Sequence, residues 1–123
     1  MGEVMKKVYV AGKYSDDNVL DVLGNISRGI KLCKDLFLLG YAPFCPWLDH
    51  QYVLQMSDWE RKKLTVPMFW NYSMAWLEVS DCMLVIPERI EESKGVQAEI
   101  ARARELNIPV YYGLPELLRA RGQ

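Results

Sequence analysis

The chain of 123 residues has one histidine, His50, and three cysteines, Cys33, Cys45 and Cys82, with no C-x-x-C spacing. Zinc sites and Ser-His-Asp triads draw on clusters of such residues, so neither has support and no metal is expected. An odd number of scattered cysteines, each in an apolar segment, points to small core residues in a reducing, cytoplasmic setting. The absence of G-x-G-x-x-G and Walker A loops removes the fingerprints of dinucleotide enzymes and P-loop NTPases, and no cofactor is expected. No apolar run approaches the length of a membrane span, and residues 1–7 carry charges where a signal peptide has an apolar core. Lys and Arg number 15 against 16 Asp and Glu, spread along the chain for a formal net charge of −1. Without a basic field, nucleic acid is not an expected partner, nor is a membrane.

What is present reads as one globular domain over residues 1–123, with 50% hydrophobic and 25% charged residues and enough chain for one core. Residues 7–11, 41–45, 82–86 and 109–112 have strand character. Asn25 reads as the cap of a helix with Ile26, Ile30, Cys33 and Phe37 at helical spacing, stopped by Gly40. Residues 71–79 and 93–106 read as further helices, and the aromatic and charged segment 47–70 as partly helical. Strand connections longer than about ten residues imply parallel pairing through right-handed crossovers. The expectation is an α/β, three-layer, flavodoxin-like (Rossmann-like) domain with a parallel sheet of four or five strands.

The most informative residue is Glu99. At about 100° per residue, Val96, Ile100, Ala103 and Leu106 fall on one arc of roughly 120°, and Glu99 lies inside it. A carboxylate turned toward a core is paired, protonated or lining a cleft. Ligands of such sheets bind beyond the carboxyl ends of the strands. That rule gathers Gly12, Lys13, Tyr14 and Ser15 with Tyr9 just before them, then Trp47, Asp49 and His50, then Ser93, Lys94, Gly95 and Glu99. Ser93 reads either as a plain N-cap or as part of a phosphate-holding helix start that leaves the amides of Gly95 and Val96 outward. Lys13 and Lys94 either add charge there or are solvated. Trp47, Trp59, Phe69, Trp70, Tyr72 and Trp76 suit a core, a subunit interface or a stacking surface for a base. So many large aromatics lead us to expect a homodimer or larger homo-oligomer.

Three motifs, Val8-Tyr9-Val10-Ala11-Gly12, Trp76-Leu77-Glu78-Val79-Ser80-Asp81 and Ser93-x-Gly95-Val96-x-x-Glu99, together resemble the nucleoside 2-deoxyribosyltransferase superfamily. The last is similar to its 2′-deoxynucleoside 5′-monophosphate N-glycosidase branch and to short phage and bacterial relatives. The resemblance covers most of the chain outside residues 47–70. It implies that Glu99 is a nucleophile toward the anomeric carbon, that Tyr9 orients it, that Ser93 binds a 5′-phosphate, and that no metal takes part. It also implies a small-molecule nucleoside or nucleotide as partner and a neighbouring subunit that helps to close the pocket. Two departures stand out. Ser73 occupies the position of the family's base-protonating aspartate, which leaves Asp49, His50 or Asp58 to substitute. The tail after Gly113, with Arg119, Arg121 and Gln123, lacks the transferase motif. Hydrolysis is thus favoured over 2-deoxyribosyl transfer, and a non-catalytic nucleotide-binding module or an interaction protein remain the competing readings.

Overall fold

The alternation of side chains along two central strands builds three layers. The computed structural model describes residues 6–121. Strand β1 spans Lys7–Ala11, β2 Ala42–Phe44, β3 Cys82–Val85 and β4 Val110–Tyr112. All pairs are parallel, in the order β2-β1-β3-β4, with Tyr9 opposite both Phe44 and Met83. β1 and β3 are covered on both faces, so their side chains are apolar almost throughout. Val8, Val10, Cys82 and Leu84 face one way, onto α1 (Val19–Leu38) and α6 (Leu114–Ala120). Tyr9, Ala11, Met83 and Val85 face the other way, onto α4 (Val66–Leu77) and α5 (Lys94–Glu105). The even spacing of strand side chains thus puts Tyr9 on the same side as Glu99.

The segment between β2 and α4 folds as a single 3-10 turn, Pro46–Asp49, followed by two short helices, α2 (His50–Leu54) and α3 (Asp58–Arg61). Trp47 is the anchor of that turn. It is 1% exposed, its indole N–H donates to the Lys13 carbonyl at 3.2 Å, and its ring lies against two glycines. A Cβ on Gly29 of α1 would sit 2.2 Å from the ring, and one on Gly12 would sit 2.9 Å from it.

Several sequence expectations are corrected. Helix α1 starts six residues before Asn25: Asn18 is its cap, accepting from the Asp21 amide at 2.9 Å. Asn25 is instead buried inside the helix, where its side-chain amide donates to the Tyr14 carbonyl at 3.2 Å and to Asp16 at 3.3 Å. Phe37 points to solvent, because Gly29, Cys33 and Leu36 take the buried stripe. Helix α4 begins earlier than expected, at Val66, with a proline in its first turn where the missing N–H costs nothing. Helix α6, which packs buried Leu117 onto the same face of the sheet as α1, had no counterpart in the sequence reading. Gln123 lies outside the described residues; Arg121 is within them, over the Tyr41 ring. Among the described residues no helix is long and apolar enough to cross a membrane.

The Trp47 contact sets the first prediction. Gly29→Ala forces the ring or α1 to move, and overpacking of this kind costs about 1–3 kcal/mol or more. Gly24, on the same helix, has nothing within 4 Å of an added Cβ, so Gly24→Ala should raise stability by up to about 1 kcal/mol. Urea unfolding of both variants should therefore move in opposite directions; parallel shifts would show that the contact does not constrain the fold.

Candidate active site

The chain leaves β1 for β2 on one side and later adds β3 on the other, so the strand order reverses between β1 and β3. Crevices at such points are where open parallel sheets hold ligands. Here the carboxyl end of β1 delivers residues 12–15, and the turn after β3 leads through Ser93 into α5. Ser93 caps α5: its hydroxyl accepts from the Val96 amide at 3.2 Å. That corrects one expectation, since the Val96 amide is consumed by the cap and does not point outward. Gly95 remains at the surface of the crevice.

From this start, Val96, Ile100 and Ala103 are buried and Glu99 is partly buried beside them. Its carboxylate accepts a hydrogen bond from the hydroxyl of Tyr9, which is fully buried. Burial pushes the Glu99 carboxyl up to about 7, with the Tyr9 donor pulling the other way. Tyr9 is held well above the usual phenol range, first by burial and then by the Glu99 charge, and Ser73 on α4 hydrogen-bonds it. Tyr9 therefore stands behind Glu99 rather than on the cavity wall, and Phe44 stacks on its ring with centroids 5.3 Å apart.

Two recesses meet at Glu99. One, of about 200 Å³, is lined by Glu99, Gly12, Asp49, Ser73 and the aromatic residues Tyr14, Trp47, Phe69 and Trp70. The other, of about 260 Å³, is lined by Glu99, Gly12, Lys13, Tyr14, Ser15, Glu92, Ser93, Lys94, Gly95 and Val96; Glu92 is paired with Arg89. Asp49 accepts from the Tyr14 hydroxyl at 3.0 Å, and burial raises its proton affinity despite that bond and the nearby His50. His50 and Asp58 are not brought to the cavity. His50 turns back to the Trp47 carbonyl, and Asp58 pairs with Arg61 at an exposed position. Lys13 is tied down by the Ser15 carbonyl at 2.8 Å and by Asp16 at 3.8 Å. Asp16 is the hub of this loop, since Arg89 also clamps it through two bonds of 2.9 and 3.2 Å. Among the described residues no cluster of His, Cys, Asp and Glu is arranged to hold a metal ion. A wider recess of about 360 Å³ lies near α1 and the start of α6, but its acidic residues Asp35 and Glu88 are half-buried and exposed, without a buried donor like Tyr9.

Sequence reasoning missed Tyr14 as the partner of Asp49 and Ser73 as the partner of Tyr9. Residues 6–113 match the model of a domain family described as a domain of unknown function, DUF7768. The chain belongs to that family. No curated protein matches it. For this DUF7768 domain the site therefore has to be read from its own geometry.

That geometry makes a stability prediction. The folded pKa of Glu99 lies above the ordinary carboxyl value, so folding favours its protonated form. The stability it contributes is complete below about pH 4.5 and is lost as pH rises through 7. The loss is on the order of 3 kcal/mol at pH 8. Glu99→Gln, whose amide oxygen still accepts from Tyr9, should unfold at higher urea than wild type at pH 8 and at nearly the same urea at pH 4.5. A difference that does not grow with pH would contradict the desolvated carboxylate.

Proposed function

We propose that this domain binds a nucleoside 5′-monophosphate and cleaves its base–sugar bond through Glu99, as an N-glycosidase acting with retention. The observation that carries the reading is a desolvated carboxylate, held by a buried tyrosine hydroxyl, where two recesses of different character meet. The recess rich in Trp and Phe suits a base by stacking. The recess with Ser93, Gly95, Lys13 and Lys94 suits a phosphate. The Ser93 hydroxyl has its donor free for a phosphate oxygen while it accepts from Val96.

In this reading one carboxylate oxygen attacks the anomeric carbon as the bond to the base nitrogen breaks, giving a glycosyl ester. Water then cleaves the ester from the opposite face, and two inversions restore the starting configuration. The departing base needs a proton. Asp49, on the wall of the base recess with raised proton affinity, supplies the carboxyl that position 73 lacks. The non-catalytic alternative, a nucleotide-binding module, draws on Ser73, whose hydroxyl has no acid strength at neutral pH. The exposed apolar residues of α4, among them Val66, Met68 and Trp76, support self-association alongside the site. Light scattering should report at least a dimer, and a monomer at high micromolar concentration would remove that part of the proposal.

Base release from nucleosides and 5′-monophosphates, followed by chromatography, tests the chemistry. Wild-type release should rise with pH through about 7, as Glu99 ionises. Glu99→Gln should abolish it, because an amide is a far weaker nucleophile of almost the same shape. Ser93→Ala removes the α5 cap for every ligand, yet it should weaken monophosphate binding more than nucleoside binding, by about 1.5–3 kcal/mol for a hydrogen bond to a charged group. Ligand-induced thermal stabilisation without release on any nucleotide would favour the binding module. Full turnover by Glu99→Gln would overturn the nucleophile.

A further inference from the structure

Arg89 has no part in the chemistry proposed above, yet the loop between β3 and α5 is bent around it. Its φ is 57° and its ψ 25°, the left-handed region, just before the short turn Ile90–Glu92. A residue with a side chain holds that conformation only where the surrounding structure enforces it, and such residues gather at ligand sites. Here two carboxylates enforce it. The Arg89 guanidinium donates to Asp16 at 2.9 and 3.2 Å. Its Nε donates to Glu92 at 3.0 Å, and one Nη lies 2.9 Å from the same carboxylate. Asp16 follows β1 and Glu92 precedes α5, so these bonds tie together the two stretches that wall the recess of about 260 Å³ holding Lys13, Ser93 and Lys94.

Both carboxylates oppose an anion in that recess. Glu92 lines it, and the Asp16 carboxylate, 5% exposed, stands 3.8 Å from the Lys13 ammonium. A charge so far withdrawn from water is screened little by salt. With Arg89 present, Asp16 is satisfied by the guanidinium and by the Asn25 amide, and its contact with Lys13 stays long. We infer that Arg89 sets the selectivity of this recess for a phosphate: by neutralising Asp16 and Glu92, it leaves the charges of Lys13 and Lys94 uncancelled. The inference rests on the nucleotide reading above and adds to it the residue that separates a 5′-monophosphate from its nucleoside. Without the guanidinium, Asp16 draws Lys13 to itself and Glu92 faces the recess unpaired. Two cations then meet two carboxylates, and the attraction for an anion is cancelled. Arg89 lines neither recess at Glu99, so it acts through these side chains and touches no ligand. The base recess includes none of Lys13, Asp16, Arg89 and Glu92, so a nucleoside is indifferent to the change.

Titration calorimetry on the full chain tests this with inorganic phosphate, with the common nucleosides and with their 5′-monophosphates. Arg89→Met should weaken phosphate and monophosphates on the order of tenfold at low salt and leave nucleosides almost unchanged. The gap between wild type and variant should close as sodium chloride is raised, because the lost term is electrostatic. Arg89→Lys, which keeps the charge, should retain more of the affinity than Arg89→Met. Adding Asp16→Asn to Arg89→Met leaves the two loops untied but removes the charge that captures Lys13, so most of the lost monophosphate affinity should return. Should that double variant fail to fold, Arg89→Met with Glu92→Gln takes its place, with recovery expected again. An equal loss for nucleosides and monophosphates, a loss that salt does not relieve, or no recovery in the double variant would each overturn the inference. So would a wild type that binds neither phosphate nor any monophosphate. A wild type that binds monophosphates with the expected Arg89 dependence but releases no base would sink the glycosidase reading and leave the role of Arg89 standing.

Discussion

Trp47 wedged between two glycines is the constraint on which the rest of the site depends. Its ring fills the space that a side chain at Gly29 or Gly12 would occupy, so α1, the end of β1 and the turn after β2 meet at one rigid plane. The indole bond to the Lys13 carbonyl then fixes the height of the loop that follows β1. A large aromatic held by packing on two sides and by one polar bond loses little freedom on folding and excludes water from everything behind it. Residues 12–15 and residues 46–49 come from distant parts of the chain, yet through this one side chain they form a single wall. Asp49 and Tyr14 meet on that wall because Trp47 sets both segments.

The site also depends on a loop whose charges are satisfied internally. Asp16 collects Arg89, Lys13 and the Asn25 amide around one carboxylate. Isolated surface pairs of this kind contribute little, but a network joined to a buried amide orders a loop that has no secondary structure of its own. Lys13 is thereby held at the mouth of the recess beside Ser93 and Gly95 rather than waving in solvent. Its ammonium is held in one place by the Ser15 carbonyl and the Asp16 carboxylate.

How much of this was legible in the sequence follows from the range of the interactions. The strands and α5 were readable because their signals are local: apolar runs closed by Gly12 and Pro46, and a period of 3.6 that placed Glu99 among Val96, Ile100 and Ala103. The sheet followed from connection lengths. The start of α1 was misread because Val19 and Leu20 are exposed, which blurs the apolar stripe, and because Asn25 has the chemistry of a cap. Asn25 uses that same chemistry from inside the helix, to reach Tyr14 and Asp16. Nothing local marks Gly29; the Trp47 ring against it is what requires a glycine there. The pairings Tyr14–Asp49 and Tyr9–Ser73 join residues far apart in sequence with no shared motif. No period or spacing encodes them; they exist only once the sheet has brought its carboxyl edges together.

A serine at position 73 makes physical sense within this arrangement. Glu99 and Asp49 already share one cavity, and burial raises the proton affinity of both. A third carboxylate beside Tyr9 would add like charge where water is scarce, and it could only compete with Glu99 for the single phenolic proton. Serine does the opposite. Its hydroxyl adds no charge and pulls the Tyr9 phenol downward, against burial and the Glu99 charge, while Tyr9 donates to Glu99. The Tyr9 donor is the one interaction that offsets the burial of Glu99. Asp49 and Tyr14 stand on the wall of the same cavity, joined by their own hydrogen bond. Ser73, uncharged, therefore adds no like charge beside the Tyr9–Glu99 pair on which the proposed chemistry rests.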